Sequence, residues 1–274
     1  MAFKLFDYQS SGKGVSKSAP QKKPFFKYWE IFGRKFWKLI ELNMLYVLFC
    51  IPIITFGPAT AALTHVMRKF ILEQPCFVFD EFFTAFKKNF KQSVFIGIVD
   101  VIMIVSVWIA CFQFLMNESL PDGSLVFICI MICCATLVFI MHFYIYLEIV
   151  ALNLSIGSIL KNAVFLVFLG VKRNFIALII NLVIISLIVL FLPFSVFAVI
   201  FLPLSLMCFT TTFICYPVIQ KYIVNPYYEE RGERNPELGP ITEEDIAENA
   251  VFVDRGGSEK EIKATPKAHG KVIK

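Results

Sequence analysis

The chain has 274 residues, of which 58% are hydrophobic, 31 are Phe and only 17% are charged, with a formal charge of +5. Soluble domains carry roughly 25% charged residues, so the composition excludes an ordinary soluble protein. Apolar runs at residues 92–116, 124–150, 174–192 and 196–219 each approach or exceed the ~20 residues that cross a bilayer, and the fold class is an all-α polytopic membrane protein.

In chain order, residues 1–30 read as a basic, polar cytoplasmic N-terminal segment, residues 31–223 as a helical membrane domain, and residues 224–274 as a charged, mostly disordered cytoplasmic tail. No early apolar stretch of the signal-peptide kind is present, so the first span is expected to act as its own insertion signal. Six spans are expected, at 36–55, 59–73, 92–116, 124–150, 174–192 and 196–219. The number falls to five if 59–73 is a re-entrant pair of half-helices. Pro52, Gly57 and Pro58 interrupt the first apolar region. They read as a tight extracellular turn, with Pro52 kinking the end of the first span. Gly57 supplies unusual backbone angles, and Pro58 suits the first turn of the next helix.

Charge supports the six-span reading. Residues 1–223 hold 18 Lys/Arg and 10 Asp/Glu, and residues 224–274 hold 8 and 11. With six spans, every one of the 18 basic residues falls on the side of the two termini. The opposite loops carry only Glu118 and Asp122. The positive-inside rule then places both termini in the cytoplasm. Arg68 and Lys69 lie within 59–73, where they can snorkel to the inner interface. Basic pairs followed by Phe precede three spans: Arg34-Lys35, Lys87-Lys88 (with Lys91) and Lys172-Arg173. They read as anchors at anionic headgroups of the cytoplasmic leaflet.

Two longer segments resemble each other. Residues 51–71 and 202–223 share an apolar-Pro-apolar start, a Thr-containing middle and a Lys-aromatic-Ile end. Three pseudo-repeated helical hairpins are the expected plan, and because 202–223 lacks the Gly-Pro pair its span is expected to run on unbroken. Residues 79–91 place Phe at helical spacing beside Lys, as an interfacial helix does, although packing beneath the bundle fits equally. Residues 155–169 have the same character.

Polar residues inside spans are costly and are functional candidates by default. Asp100, His142 and Glu148 lie in spans three and four, and His65 and Arg68 are three apart on the second segment. Asp100 is either a solute or proton site or a hydrogen-bonded structural residue. His142 and Glu148 point to different faces. Glu148, near the inner end, is expected to be wet or to pair with a basic loop residue. His65 and Arg68 either line a cavity or snorkel together. Glu41 sits favourably near a helix start, and Gln113, Asn153 and Asn181 are expected to tie helices together. Cys129, Cys133 and Cys134 share neighbouring turns without His or carboxylate at metal spacing. No metal, cofactor or nucleic-acid partner is expected. No catalytic motif of the metalloprotease, hydrolase-elbow or phosphate-loop kind occurs, so an enzyme is not expected.

The stretch FFKYWEIFGRKFWKLIELNMLYVLFCIPIITFGPATAAL, followed by FVFDEFFTAFKKNFKQS, carries P-x-x-T-x-G-P-A-T at Pro52–Thr60 and F-x-x-x-F-K-x-N-F-K-Q at Phe82–Gln92. With LKNAVFLVF at residues 160–168, it resembles the YesL-like family of small bacterial integral membrane proteins over about residues 25–223. The long tail, with NAVFVDRGG at 249–257, departs from that family's pattern. The resemblance implies a multi-pass bacterial inner-membrane protein connected with carbohydrate uptake. The leading functional expectation is therefore an accessory or structural component, with a carbohydrate-transporter permease as partner. The alternatives are an independent small-solute carrier or channel with a polar cavity near Asp100, and an assembly protein that reads its partner through the tail.

Overall fold

The computed structural model describes residues 23–116, 124–152, 154–233, 235 and 237, and every regular element among them is helical. Helix α1, Pro24–Cys50, has Pro in its first turn, where the missing N–H costs nothing. It starts well ahead of residue 36 and runs through the expected boundary at residue 30. Ile31, Leu39, Leu42, Asn43 and Tyr46 form one buried stripe along it, while Phe25, Phe26, Trp29 and Trp37 stay exposed.

A short 3₁₀ turn, Ile53–Thr55, links α1 to α2, Phe56–Ile71. The Thr55 hydroxyl lies 2.5 Å from the carbonyl oxygen of Phe49 and 2.6 Å from that of Pro52. Pro52 follows the end of α1 and heads this turn, so it does not kink the helix. Gly57 and Pro58 sit in the first turn of α2 rather than at the link itself. Gly57 is not needed for an unusual backbone angle. A Cβ at Gly57 would overlap the Ser93 carbonyl and come within 2.9 Å of the Gly97 Cα, so glycine is required by close approach to the next helix.

That neighbour is α3, Val78–Met116, an uninterrupted helix of 39 residues and ~58 Å. Residues 79–91 are its first turns and not a separate interfacial helix. Phe82 and Phe86 there close on Phe49 of α1, with ring centroids 5.6 and 5.2 Å away. Helix α2 has only 16 residues, ~24 Å, which is less than the ~30 Å hydrocarbon core. It is nonetheless the central post, buried along most of its length and packed by α1, α3, α4 (Ser124–Ala151) and α8 (Pro203–Ile219). Gly57, Ala59, Ala61 and Ala62 let those helices approach closely.

Among the described residues, four helical stretches are long and apolar enough to cross a membrane: Val78–Ala110, Val126–Ala151, Val171–Leu190 and Pro203–Glu230. Helices α1 and α2 are not among them. Helix α5, Ile156–Leu169, is a separate shorter helix, and Gly170 joins it directly to α6, Val171–Leu190. The Tyr144 hydroxyl donates to the Asn174 amide oxygen, and the Asn174 amide donates to the Val167 carbonyl at 2.9 Å, which fixes that corner.

Residues 196–219 do not form the unbroken span expected. Helix α7, Ser195–Phe201, stops at Leu202, and α8 restarts at Pro203, which has no N–H to continue the ladder. Asn43 of α1 bridges the break. Its amide donates to the carbonyls of Val199 and Ile200, both at 2.8 Å, and its oxygen accepts from the Ser205 N–H at 2.7 Å. Beyond Pro217, α8 passes through a π turn, Gln220–Val224, into α9, Asn225–Glu230. Regular structure therefore extends past residue 223. One end of the bundle collects Lys27, Arg34, Lys69, Glu73 and Glu81 in ion pairs and is called the charged end below. At the other end, α3 and α4 expose Ile102, Trp108, Val126 and Phe127.

Candidate functional site

A cavity of about 150 Å³ lies among α2, α4, α6 and α8, with Tyr46 of α1 at its edge. Helical spacing builds its polar lining. Thr60 and Thr64 are one turn apart on α2, as are His142 and Tyr146 on α4, and Cys208 and Thr212 on α8, where Thr211 joins them. Asn181 comes from α6. The two resembling segments, 51–71 and 202–223, thus each contribute a pair of threonines to the same cavity.

These groups are tied down on their donor side. Thr60 and Thr64 each donate to the carbonyl one turn earlier, both at 2.8 Å. Asn181 donates to the Ala177 carbonyl at 2.8 Å and to the Thr211 hydroxyl at 2.9 Å, which joins α6 to α8. A hydroxyl that has donated keeps acceptor capacity. Thr60 and Thr64 therefore offer oxygen acceptors, the Tyr146 hydroxyl, which donates to Asp100, can still accept, and the imidazole can donate or accept.

Asp100 stands behind this wall, 8% exposed, on α3. One carboxylate oxygen lies 3.2 Å from His142 Nδ1, and the other accepts from the Tyr146 hydroxyl at 2.7 Å. The rings of His142 and Tyr146 are 4.6 Å apart. Burying a lone carboxylate is prohibitive unless donors satisfy it. Here His142 and Tyr146, from one face of α4, meet both of its oxygens, and the carboxylate in turn fixes the imidazole's orientation. The structure brings Asp100 and His142 together, as their separate placement in spans three and four allowed. It puts His142, and not Asp100, on the cavity surface. Tyr146, the threonines and the Asn181 bridge were not singled out from the sequence as cavity groups. The four-residue step from His142 to Tyr146 was the available signal.

The remaining candidates lie elsewhere. Glu148 is completely buried. It is neither wet nor paired with a basic loop residue: one oxygen accepts from Asn162 of α5 at 3.3 Å, and the other has no partner among the described residues. His65 and Arg68 diverge despite their spacing, and neither lines the cavity. His65 meets Glu81 at 3.2 Å, and Lys69 meets the same carboxylate at 2.5 Å. Arg68 turns to α8, where its Nε donates to the Tyr216 hydroxyl at 2.7 Å, and it forms an ion pair with Glu237.

Of the basic clusters, Arg34 pairs with Glu73 at 2.5 Å and Lys35 lies 5.4 Å from the Phe70 ring centre. Burial by neighbouring groups and the adjacent cations Lys38 and Arg34 lower the Lys35 ammonium below its usual range. Lys87, Lys88, Lys91, Lys172 and Arg173 are exposed. Glu118, Asp122, Asn153 and residues 242–252 lie outside the described residues.

No curated protein and no solved structure matches the chain. A family model described as a protein of unknown function, DUF624, matches residues 39–111, from the middle of α1 through α2 and most of α3. That stretch holds the Gly57 contact, Thr60, Thr64 and Asp100, and over it the chain is similar to the family to which YesL-like proteins belong.

Proposed function

We propose that the protein is a membrane-embedded carrier or channel for a small, neutral, hydroxyl-rich solute, seated in the cavity among α2, α4, α6 and α8. The observation that carries this reading is the convergence of threonine, amide, imidazole and phenol groups on a partly open cavity of about 150 Å³. Polar groups cost free energy in an apolar medium, and here more of them converge on one space than the helix-to-helix bonds of Asn181 and Tyr46 account for. Drug-sized pockets run to ~300–1,000 Å³, so the solute is correspondingly small. Asp100 serves as the positioning residue for His142 and Tyr146. The orientation proposed puts the charged end and both termini in the cytoplasm of a bacterial cell, with six crossings. The sidedness of the basic residues supports it, and the protein sheath around α2 explains how so short a helix can count as a crossing.

The test is uptake of radiolabelled polyols and monosaccharides into vesicles containing the purified protein. Wild-type protein should transport at least one member of the panel, and Asp100→Asn should slow that flux by about tenfold, equivalent to ~1.4 kcal/mol. Wild-type vesicles no more permeable than empty ones would sink the proposal. Unchanged flux in Asp100→Asn would remove Asp100 from it.

A second reading, an accessory component of a carbohydrate-transporter permease, is favoured by the exposed aromatic residues Phe25, Trp29, Trp37, Phe77 and Phe79 near the charged end. Co-purification of a permease in mild detergent would support it. Isolation of this chain alone, after cross-linking in the membrane, would count against it.

A further inference from the structure

After α9 the chain reverses at once. Gly232 adopts φ +65°, its N–H donates to the Glu229 carbonyl at 3.0 Å, and the Glu233 N–H donates to the Tyr228 carbonyl at 2.9 Å. This is a helix stop that glycine makes possible. The chain beyond it is then pinned at Asn235 and Glu237. Asn235 is buried, its amide donates to the Asn225 side-chain oxygen at 2.9 Å, and its own oxygen accepts from the Glu237 N–H at 2.9 Å.

Glu237 is thereby held in a ring of donors. The Tyr216 hydroxyl donates to it at 2.5 Å, the Gln220 amide donates at 3.2 Å, and Arg68 pairs with its other oxygen. The Arg68 and Glu237 side chains are only 15% and 10% exposed. Without the carboxylate, Arg68 would retain the Tyr216 hydroxyl and a long 3.5 Å contact to the Val150 carbonyl, which leaves a largely buried cation without a counter-charge.

The position of this cluster matters as much as its chemistry. Arg68 is one turn beyond Thr64 on α2, Tyr216 is one turn beyond Thr212 on α8, and Val150 follows Leu147 on α4; Thr64, Thr212 and Leu147 all line the cavity. One turn is 5.4 Å, so the cluster lies one turn below the lining residues on three of the cavity's walls, on the side of the charged end. We propose that Arg68, Tyr216 and Gln220 constitute a carboxylate-binding site whose ligand is this chain's own tail through Glu237, and that the occupied site shuts the cavity at the charged end. The shutting function rests on the cavity reading above, but the docking of the tail does not.

The test uses the full-length chain in lipid nanodiscs and needs no solute. Two rates are read by mass spectrometry: trypsin cleavage after Arg231, and modification of Cys208, a free cysteine on the cavity wall, by a small water-soluble thiol reagent. Glu237→Gln should raise both rates by about tenfold, as expected for losing hydrogen bonds to a charged group. Tyr216→Phe, which removes one donor, should raise both by a smaller factor. Unchanged cleavage after Arg231 in Glu237→Gln overturns the carboxylate site. Faster cleavage with unchanged Cys208 modification overturns the closure. Neither outcome depends on transport, so failure here is distinct from failure to find a solute.

Discussion

The two segments that resemble each other in sequence, 51–71 and 202–223, enter the core by different devices. Each begins with an interruption at an apolar-Pro step, supplies threonines to the cavity, and ends in Lys-aromatic-Ile. In the first, the chain reverses through a 3₁₀ turn and the new helix presses its backbone against α3 at Gly57. In the second, the helix breaks at Leu202, and a single side chain from another helix, Asn43, takes up the loose carbonyls and N–H. Non-helical backbone at membrane depth persists only where protein meets its polar groups. One segment solves this with local turn bonds and a missing side chain, the other with a long-range amide.

If that contrast is right, the first device should be the more sensitive to added volume. Gly57→Ala forces a methyl into the Ser93 carbonyl, a backbone atom that cannot swing away. A loss of about 3 kcal/mol is expected, at the upper end of ordinary overpacking, read as a lower thermal midpoint in detergent. Gly33→Ala is the control. A Cβ there meets nothing within 4 Å, and the helix should gain up to ~1 kcal/mol from propensity. Equal responses of the two glycines would dissolve the close-packing argument.

The second device should fail by loss of partners. Asn43→Leu keeps the bulk but strands two carbonyls and one N–H at the break. Each lost partner costs about 1–3 kcal/mol if no substitute is found, and for the set about 2 kcal/mol is expected after relaxation. Amide exchange at Ser205 should rise selectively, and protection that survives the substitution would show that Asn43 is incidental. The smallest effect should come from Asn181→Leu. It removes the bridge to Thr211 and should cost ~0.6 kcal/mol, the average for such contacts in membranes.

How much of this was legible in the sequence depends on whether the information is local. The apolar helices α3, α4 and α6 follow from run length and composition, because a span's hydrophobicity is a property of its own residues. Asp100 and His142 are equally visible, since ionisable groups stand out in apolar runs. Helix α2 was harder. Its importance comes from burial by neighbours, and its length and its Arg68 and Lys69 argue against a span on local grounds. The break at Leu202 was missed because Pro203 alone does not reveal where its freed carbonyls go, and Asn43 lies more than 150 residues earlier. Glu237 was hidden for a related reason. A charged, apolar-poor segment gains nothing from folding by itself, but a buried arginine on a distant helix changes the balance for one of its residues.

The contact between Gly57 and Gly97 also constrains how the molecule moves. The two backbones meet there with no side chain between them, so any closer approach of α2 and α3 is opposed directly by backbone atoms. A shear of α4 against that pair would have to cross the bonds from Asp100 to His142 and Tyr146. Asp100 stands on α3, while His142 and Tyr146 stand on α4. The bonds between them therefore tie α3 to α4, and they would be the first to break if those two helices slid past each other.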